Sequence, residues 1–359
     1  LYLNSNMTEI EKYLNLNAYS LKKKIKKKLF LKIMNLLTKH HYNNSPQYKM
    51  LINNLFKKKE SFLLEEVPFL PTLLFKNKNL KSISNKKVFK TLTSSGTSGN
   101  VSNITLDKKN ASNQTKILNK IVISIFGKER LPMLIIDSDQ KLLNRNLFNA
   151  KKAAVQGFSI FGRDHTYLLD DKQNIKYKTL NQFLEKYHSD KFLIFGFTSN
   201  VFNNLYNQLK IENIRFNFEN GILLHGGGWK KMEDQKISNE LFKKKLNDKL
   251  NIKNIFNYYG LVEQTGSIFL ECPKCNSFKS SIFSEVLIRD KNFKICKKGK
   301  IGLVQLLSVL PTSYPGHSII TDDLGEILPD HKIKCESDAT HFIIHGRSKE
   351  SELRGCSDV

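Results

Sequence analysis

The run Ser94-Ser95-Gly96-Thr97-Ser98-Gly99 joins hydroxyls and glycines in a stretch too small and too polar for a core. Such a loop can bring backbone N–H groups against phosphate oxygens while its hydroxyls donate to the same anion, although ordinary surface loops share this composition. His225-Gly226-Gly227-Gly228-Trp229 offers bare backbone to a flat ring, with Trp229 either walling that ring or packing a tight turn. Tyr259-Gly260-Leu261-Val262-Glu263 is an aromatic–glycine turn followed by a carboxylate. A carboxylate beside a triphosphate would reach it through Mg²⁺, since direct contact repels. Thr321-Asp322-Asp323 places an acid where it can accept hydrogen bonds from a ribose diol. Cys272-Pro273-Lys274-Cys275 and the pair His331 and Cys335 supply soft ligands in two local pairs that suit zinc. Cys296 is a rival ligand, and a redox dithiol or unpaired thiols fit the same spacing.

The elements that must position these residues follow from hydrophobic patterning. Leu21, Ile25, Leu29, Ile33, Leu36 and Leu37 recur at helical spacing among lysines, which predicts a basic amphipathic helix that packs on the body or touches a membrane surface. The segment from Val67 to Thr72, with two prolines, hands over to the main domain. Short apolar runs then end in polar or glycine-rich loops at Leu131 to Ile136, Phe192 to Phe197, Ile222 to Leu224 and Ile255 to Tyr259. Strands alternating with helices imply an α/β fold with a largely parallel sheet, whose ligands gather at the carboxyl ends of its strands. Apolar runs at Ile282 to Ile288, Leu303 to Leu310 and Phe342 to Ile344, with little helical pattern between them, predict a smaller antiparallel β region.

Composition narrows the function classes. The 359 residues carry 58 Lys and Arg against 33 Asp and Glu, a formal net charge of +25. Lysine is spread along the whole chain without a zinc-finger, RNP-type or basic-zipper pattern, so nucleic acid is not an expected partner. A basic nucleotide- or nucleic-acid-binding module without catalysis remains the non-enzymatic alternative. No apolar run reaches the ~18 to 20 residues of a membrane span, and no signal-peptide layout opens the chain, which predicts a cytoplasmic protein. Five cysteines in a chain of this length do not suggest a disulfide framework.

Together these motifs resemble the adenylate-forming superfamily of acyl- and aryl-CoA ligases. The order is Ser94 to Gly99, Gly226 to Gly228, Tyr259 to Glu263, Thr321 to Asp323, then Gly346-Arg347. The resemblance is closest to the acyl-protein synthetases of bacterial bioluminescence. It is carried by His225 to Lys230, Tyr259 to Gly266, Leu310 to His317 and Glu352 to Asp358. It implies that ATP and Mg²⁺ activate a fatty acid as its acyl-adenylate, that a cysteine of the chain then takes the acyl group, and that an acyl reductase or transferase partner receives it. Transfer to coenzyme A or an acyl carrier protein is the enzymatic alternative.

The resemblance implies phosphate contacts from Ser94, Ser95, Gly96, Thr97, Ser98 and Gly99, and adenine contacts from Gly226, Gly227 and Gly228. Tyr259 and Gly260 would border the base and carboxylate, Glu263 would hold Mg²⁺, Asp323 would hold ribose, and Cys356 would accept the acyl group. Arg354 beside Cys356 favours its thiolate. Zinc in the cysteine-rich region is similar to metal sites of phenylacetate-type ligases. Two features depart from the pattern: the phosphate loop continues through Asn100-Val101-Ser102-Asn103 rather than Pro-Lys, and the chain stops soon after Gly346-Arg347. The cation aimed at departing pyrophosphate is left among Lys230, Lys231 and Arg347. The expected organisation is a helical region over 1–66, an adenylate-forming core over 67–345 and a hinge with a truncated C-terminal remnant over 346–359.

Overall fold

A computed structural model describes residues 2–56, 60–94, 101–139, 150–229 and 236–348. The chain forms two compact units, one from Leu1–Ile125 with Gly260–Gly355 and the other centred on Phe126–Tyr259. The first unit opens with helices α1 (Tyr2–Leu14), α2 (Lys23–Asn44) and α3 (Pro46–Leu55). Ser45 caps α3 by accepting from the Tyr48 amide, and Pro46 stands at the start of the helix, where its missing N–H costs nothing.

The expected helix is α2, but it presents a different stripe to the body. Lys26, Phe30, Ile33, Met34, Leu37, Thr38 and His41 are buried, whereas Ile25 is 51% and Leu29 36% exposed. The reason is electrostatic as well as apolar. Lys26 Nζ lies 2.8 Å from the Glu285 carboxylate and donates to Ser280 Oγ at 2.9 Å, so a lysine occupies a position that periodicity assigns to solvent. Strand β1 (Leu70–Pro71), helix α4 (Leu74–Asn77), the antiparallel pair β2 (Lys90–Thr93) and β3 (Asn103–Leu106), and helix α5 (Lys108–Phe126) complete this stretch.

The second unit carries a parallel sheet of β4 (Leu131–Ile135), β5 (Gly162–Tyr167), β6 (Phe192–Phe197), β7 (Gly221–Gly226) and β8 (Asn254–Tyr259), in the order β5-β4-β6-β7-β8. Every residue of β6 is buried, as expected for a parallel strand covered on both faces. Helices Tyr177–Tyr187 and Asn239–Leu250 and the helical stretch from Thr198 to Ile211 pack Phe183, Phe202 and Phe242 onto Phe192, Ile194 and Leu223. Phe158, from helix Ala150–Ser159, stacks on Phe195 of β6 at 4.8 Å.

The first unit resumes with β9 (Phe269–Cys272), β10 (Ser277–Lys279), β11 (Ser284–Arg289), β12 (Gly302–Ser308), β13 (Ser318–Ile327) and β14 (His341–Arg347). Their order is β11-β12-β13-β14-β10-β9, each neighbour antiparallel, with β1 added parallel to β13. The antiparallel region expected downstream is therefore present. No described helix is long and apolar enough to cross a membrane.

Breaking a buried pair strands the remaining charge, while replacing both partners by apolar groups removes the problem. K26A is expected to lower unfolding free energy by about 3 kcal/mol, and K26M/E285M to recover at least half of that loss. Urea unfolding of the three proteins checks it; equal stability of K26A and wild type would show that the pair contributes nothing.

Candidate functional site

In the second unit, the glycine triplet begins at the carboxyl end of β7, where an open α/β sheet presents ligands. A Cβ at Gly226 would come within 2.5 Å of the Tyr258 ring, and one at Gly227 within 2.8 Å of Phe197. Gly227 and Gly228 have φ of +81° and +67°, which only glycine adopts without strain, and the space beside Gly228 is open. The backbone here suits the approach of a flat ring. Trp229 takes the packing role rather than that of a wall: it is buried, with its ring 5.0 Å from Phe202 and 6.0 Å from Phe242.

His225 locks the loop from beneath. Thr198 Oγ1 donates to the Gly226 carbonyl at 3.1 Å, so its single proton is committed and His225 Nδ1 donates to Thr198 at 2.9 Å. Burial drives the His225 pKa down to about 3, which keeps the ring neutral. Tyr259, half-buried, ends β8.

The candidate acid belongs to the first unit. Glu263 sits on the short helical turn Val262–Gln264 and is buried. Its carboxylate accepts from Ser102 Oγ at 2.6 Å, and Tyr314 Oη donates to its backbone carbonyl at 2.8 Å. Burial raises the carboxyl pKa above the usual range, while the Ser102 hydrogen bond and the charges of Lys76 and Arg347 oppose the rise. A buried carboxyl under such tension gains from a cation, so the residue fits a role in holding Mg²⁺.

Ser102 also closes the hydroxyl-rich loop. Its amide donates to Ser94 Oγ at 2.9 Å, and the Ser94 amide donates to its carbonyl at 3.1 Å, so both loop ends meet beside Glu263. Ser95, Gly96, Thr97, Ser98 and Gly99 lie outside the described residues, as do Lys230, Lys231 and Cys356.

Around the acid, the Leu310 to His317 stretch is buried framework. Asn110 on α5 accepts from the Thr312 and Ser313 amides and donates to the Leu310 carbonyl, while Gln264 donates to the Leu306 and Gly316 carbonyls. His317 stacks on His41 at 4.9 Å. Asp323 on β13 faces Arg347 on β14 across the ladder, with Arg347 Nε 3.5 Å from Asp323 Oδ1. The Asp323 amide donates to Thr321 Oγ1, which fixes the strand that presents the acid. The adjacent Asp322 is exposed.

The sulfur ligands require one correction. Cys272, Cys275 and Cys335 converge, but their histidine is His341 on β14, not His331. His331 lies exposed on the turn Asp330–Lys332, and the chain passes through five further residues after Cys335 before β14 brings His341 back to the cluster. Cys296 is not a member. Sequence spacing also misses Ser102, Asn110 and Tyr314. For Ser102 the signal is local, since it follows the hydroxyl-rich loop and directly precedes β3; for Asn110 and Tyr314 nothing in the local sequence marks contacts 200 and 51 residues away.

A family model described as acyl-protein synthetase, LuxE, matches residues 5–359. The long-chain-fatty-acid–luciferin-component ligase of Aliivibrio fischeri is 24% identical over 292 residues, which cover 79% of this chain and 75% of that protein. Its counterpart from Vibrio harveyi is 22% identical over 324 residues, covering 89% and 83%. Among solved structures, 2-hydroxyisobutyryl-CoA ligase in the postadenylation state with 2-HIB-AMP superimposes with a TM-score of 0.71 at 12% identity, over 92% of this chain and 69% of that one. The fold is that of adenylate-forming ligases. With its family model matched from residue 5 to residue 359, the chain belongs to the acyl-protein synthetase family, LuxE.

Proposed function

We propose that the chain uses ATP to activate a long-chain fatty acid and transfers the acyl group to its own Cys356, for delivery to an acyl reductase or transferase partner. A fatty carboxylate oxygen attacks the α-phosphorus of ATP; the bond from that phosphorus to the bridging oxygen breaks, and pyrophosphate leaves. The Cys356 thiolate then attacks the carbonyl carbon of the acyl-adenylate. The acyl C–O bond breaks, AMP departs with the electron pair, and a thioester remains.

The observation that carries this reading is the Ser102–Glu263 hydrogen bond, which brings the ends of the Ser94–Ser102 loop to a buried acid. In the proposal Ser94 to Gly99 hold the phosphates, Gly226 to Gly228 lie against adenine, Tyr259 and Gly260 border the base and carboxylate, and Asp323 accepts from ribose. When bound at Glu263, Mg²⁺ would offset phosphate charge. Lys76 and Arg347, whose charges reach Glu263, are the described cations best placed to favour pyrophosphate departure, with Lys230 as a further candidate. The names of the two ligases, which couple a long-chain fatty acid to a luciferin component, support the choice of substrate.

Incubation with ATP, Mg²⁺ and a fatty acid should give acid-dependent exchange of pyrophosphate into ATP, and E263Q should slow it by about a hundredfold or more. A flat response across short, long and aryl acids would remove the adenylation reading. C356S should keep exchange yet lose the covalent acyl adduct seen by intact-protein mass spectrometry. If C356S instead forms acyl-CoA as fast as wild type while wild type carries no adduct, coenzyme A is the acceptor.

The raised pKa of Glu263 sets a further expectation. Cation binding needs its carboxylate, so activity should fall on the acid side at a pH above the usual carboxylate range. Removing the Ser102 donor destabilises the charged form further. S102A should therefore shift the acid limb of the exchange rate upward in pH, with the rate recovering at higher pH; a uniform loss at all pH values would assign Ser102 another role.

A further inference from the structure

We propose that Cys272, Cys275, Cys335 and His341 bind one structural Zn²⁺ that ties the β9–β10 hairpin to the start of β14. The ligand atoms of the four residues all lie within 4.8 Å of one another, the only grouping of three or more His, Cys, Asp or Glu of this kind among the described residues. Tetrahedral zinc with Zn–S bonds of about 2.3 Å sets its ligand atoms about 3.8 Å apart, so the cluster needs only a small contraction to close.

The local backbone is made for this. Cys272 ends β9 and Ser277 opens β10 opposite it, so Pro273 to Asn276 form a hairpin turn with Cys272 at its base and Cys275 within it. The Cys275 amide donates to the Cys272 carbonyl at 3.1 Å, and Asn276 takes a left-handed φ of 47° that closes the turn. The Lys334 amide donates to Cys275 Sγ at 3.3 Å, which brings the Cys335 loop against the hairpin. Cys275 Sγ and Cys335 Sγ are 3.3 Å apart, far beyond a disulfide bond, and all three cysteines are free thiols.

His341 supplies the second, independent observation. Its Nδ1 is 2.9 Å from Ser277 Oγ, while its Nε2 points to Cys335 Sγ at 3.5 Å. A neutral imidazole that donates through Nδ1 leaves its Nε2 lone pair for a metal, the arrangement by which outer partners orient ligating histidines. Binding releases the three thiol protons to solvent, giving a site of net charge −1 from one Zn²⁺ and three thiolates. Lys279, directly across the ladder from His341, lies beside that charge. The metal would fix the first residue of β14, whose last residue is Arg347 opposite Asp323.

The test is metal content of the full-length reduced protein purified without chelator, by mass spectrometry of the element, with Co²⁺ replacement followed by absorption. One zinc per chain is expected, with an intense thiolate-to-cobalt band and visible bands of tetrahedral Co²⁺. H331A and C296S should retain both, H341A and C335S should lose stoichiometric metal, and S277A should weaken affinity by ~10- to 100-fold. Absence of zinc together with no cobalt–thiolate band in reduced wild type overturns the site. So does unchanged affinity in H341A, or loss of metal in H331A. Wild-type, H331A and C296S readouts decide the matter even if a ligand variant fails to fold. Neither result bears on pyrophosphate exchange, so this site and the ligase reading stand or fall separately.

Discussion

A carboxyl removed from water must keep a hydrogen-bond donor or gain a counter-charge, and for Glu263 the donor is Ser102. That single requirement organises much of the first unit. Ser102 can reach the acid only because its amide and carbonyl are both engaged by Ser94, which holds the two ends of the intervening loop together. Glu263 can receive it only because Tyr314 and Gln264 pin the backbone of its turn to the Leu310–Gly316 stretch. That stretch is in turn held by Asn110. Four separated segments of sequence thus build the frame around one carboxyl, which only Ser102 among these side chains touches. Replacing any one of their buried polar side chains leaves an unmatched group as well as a missing bond.

The glycine loop of the second unit answers to a different constraint. Three successive glycines give up all side-chain packing, so the order of the loop has to come from its flanks. His225 and Thr198 supply that order on one side, and Trp229 packed against Phe202 and Phe242 supplies it on the other. An exposed Trp229 would have offered a stacking surface but left the loop tethered at one end. The burial of Trp229 fits a loop whose backbone is the recognition element, because peptide groups held in place lose little entropy when a ring comes against them.

Periodicity and strand-ending loops made most of the architecture legible. The run Phe192 to Phe197 is β6 residue for residue, and the runs near Leu131, Ile222 and Ile255 fall on β4, β7 and β8. β4, β6 and β7 are buried on both faces, so an apolar run carries the signal without needing alternation, whereas β8 is only partly covered. The orientation of α2 was not legible, because Lys26 is buried by a partner 259 positions away and no local pattern encodes that pairing. Sequence spacing pointed to His331 and passed over His341 for a related reason: spacing rewards the nearer histidine, whereas the cluster is completed by the strand that returns to the hairpin. The glycines, Glu263 and Asp323 were legible as residue types, but Ser102, Asn110 and Tyr314 are polar side chains whose partners exist only in the folded chain.

Charge supply is the remaining link between fold and chemistry. A loop that continues through Asn100 and Val101 carries no lysine of its own, so a phosphate site built on it would need positive charge from elsewhere in the fold. Arg347 acts on Glu263 while lying 3.5 Å from Asp323, a loose, partly solvated contact rather than a buried bidentate clamp. Separating such a pair leaves Arg347 in contact with water, whereas the buried Asp323 carboxylate then needs another donor. A ribose at Asp323 and a phosphate near Arg347 could divide the pair between them without leaving a charge stranded. In the other pair it is the cation that is buried: Lys26 lies 2.8 Å from the Glu285 carboxylate, and parting them would strand its charge. Distance and the exposure of the cation therefore distinguish these two among the ion pairs of this unit: the 2.8 Å contact of buried Lys26 holds α2 in place, whereas the 3.5 Å contact of Arg347, 37% exposed, is the looser one.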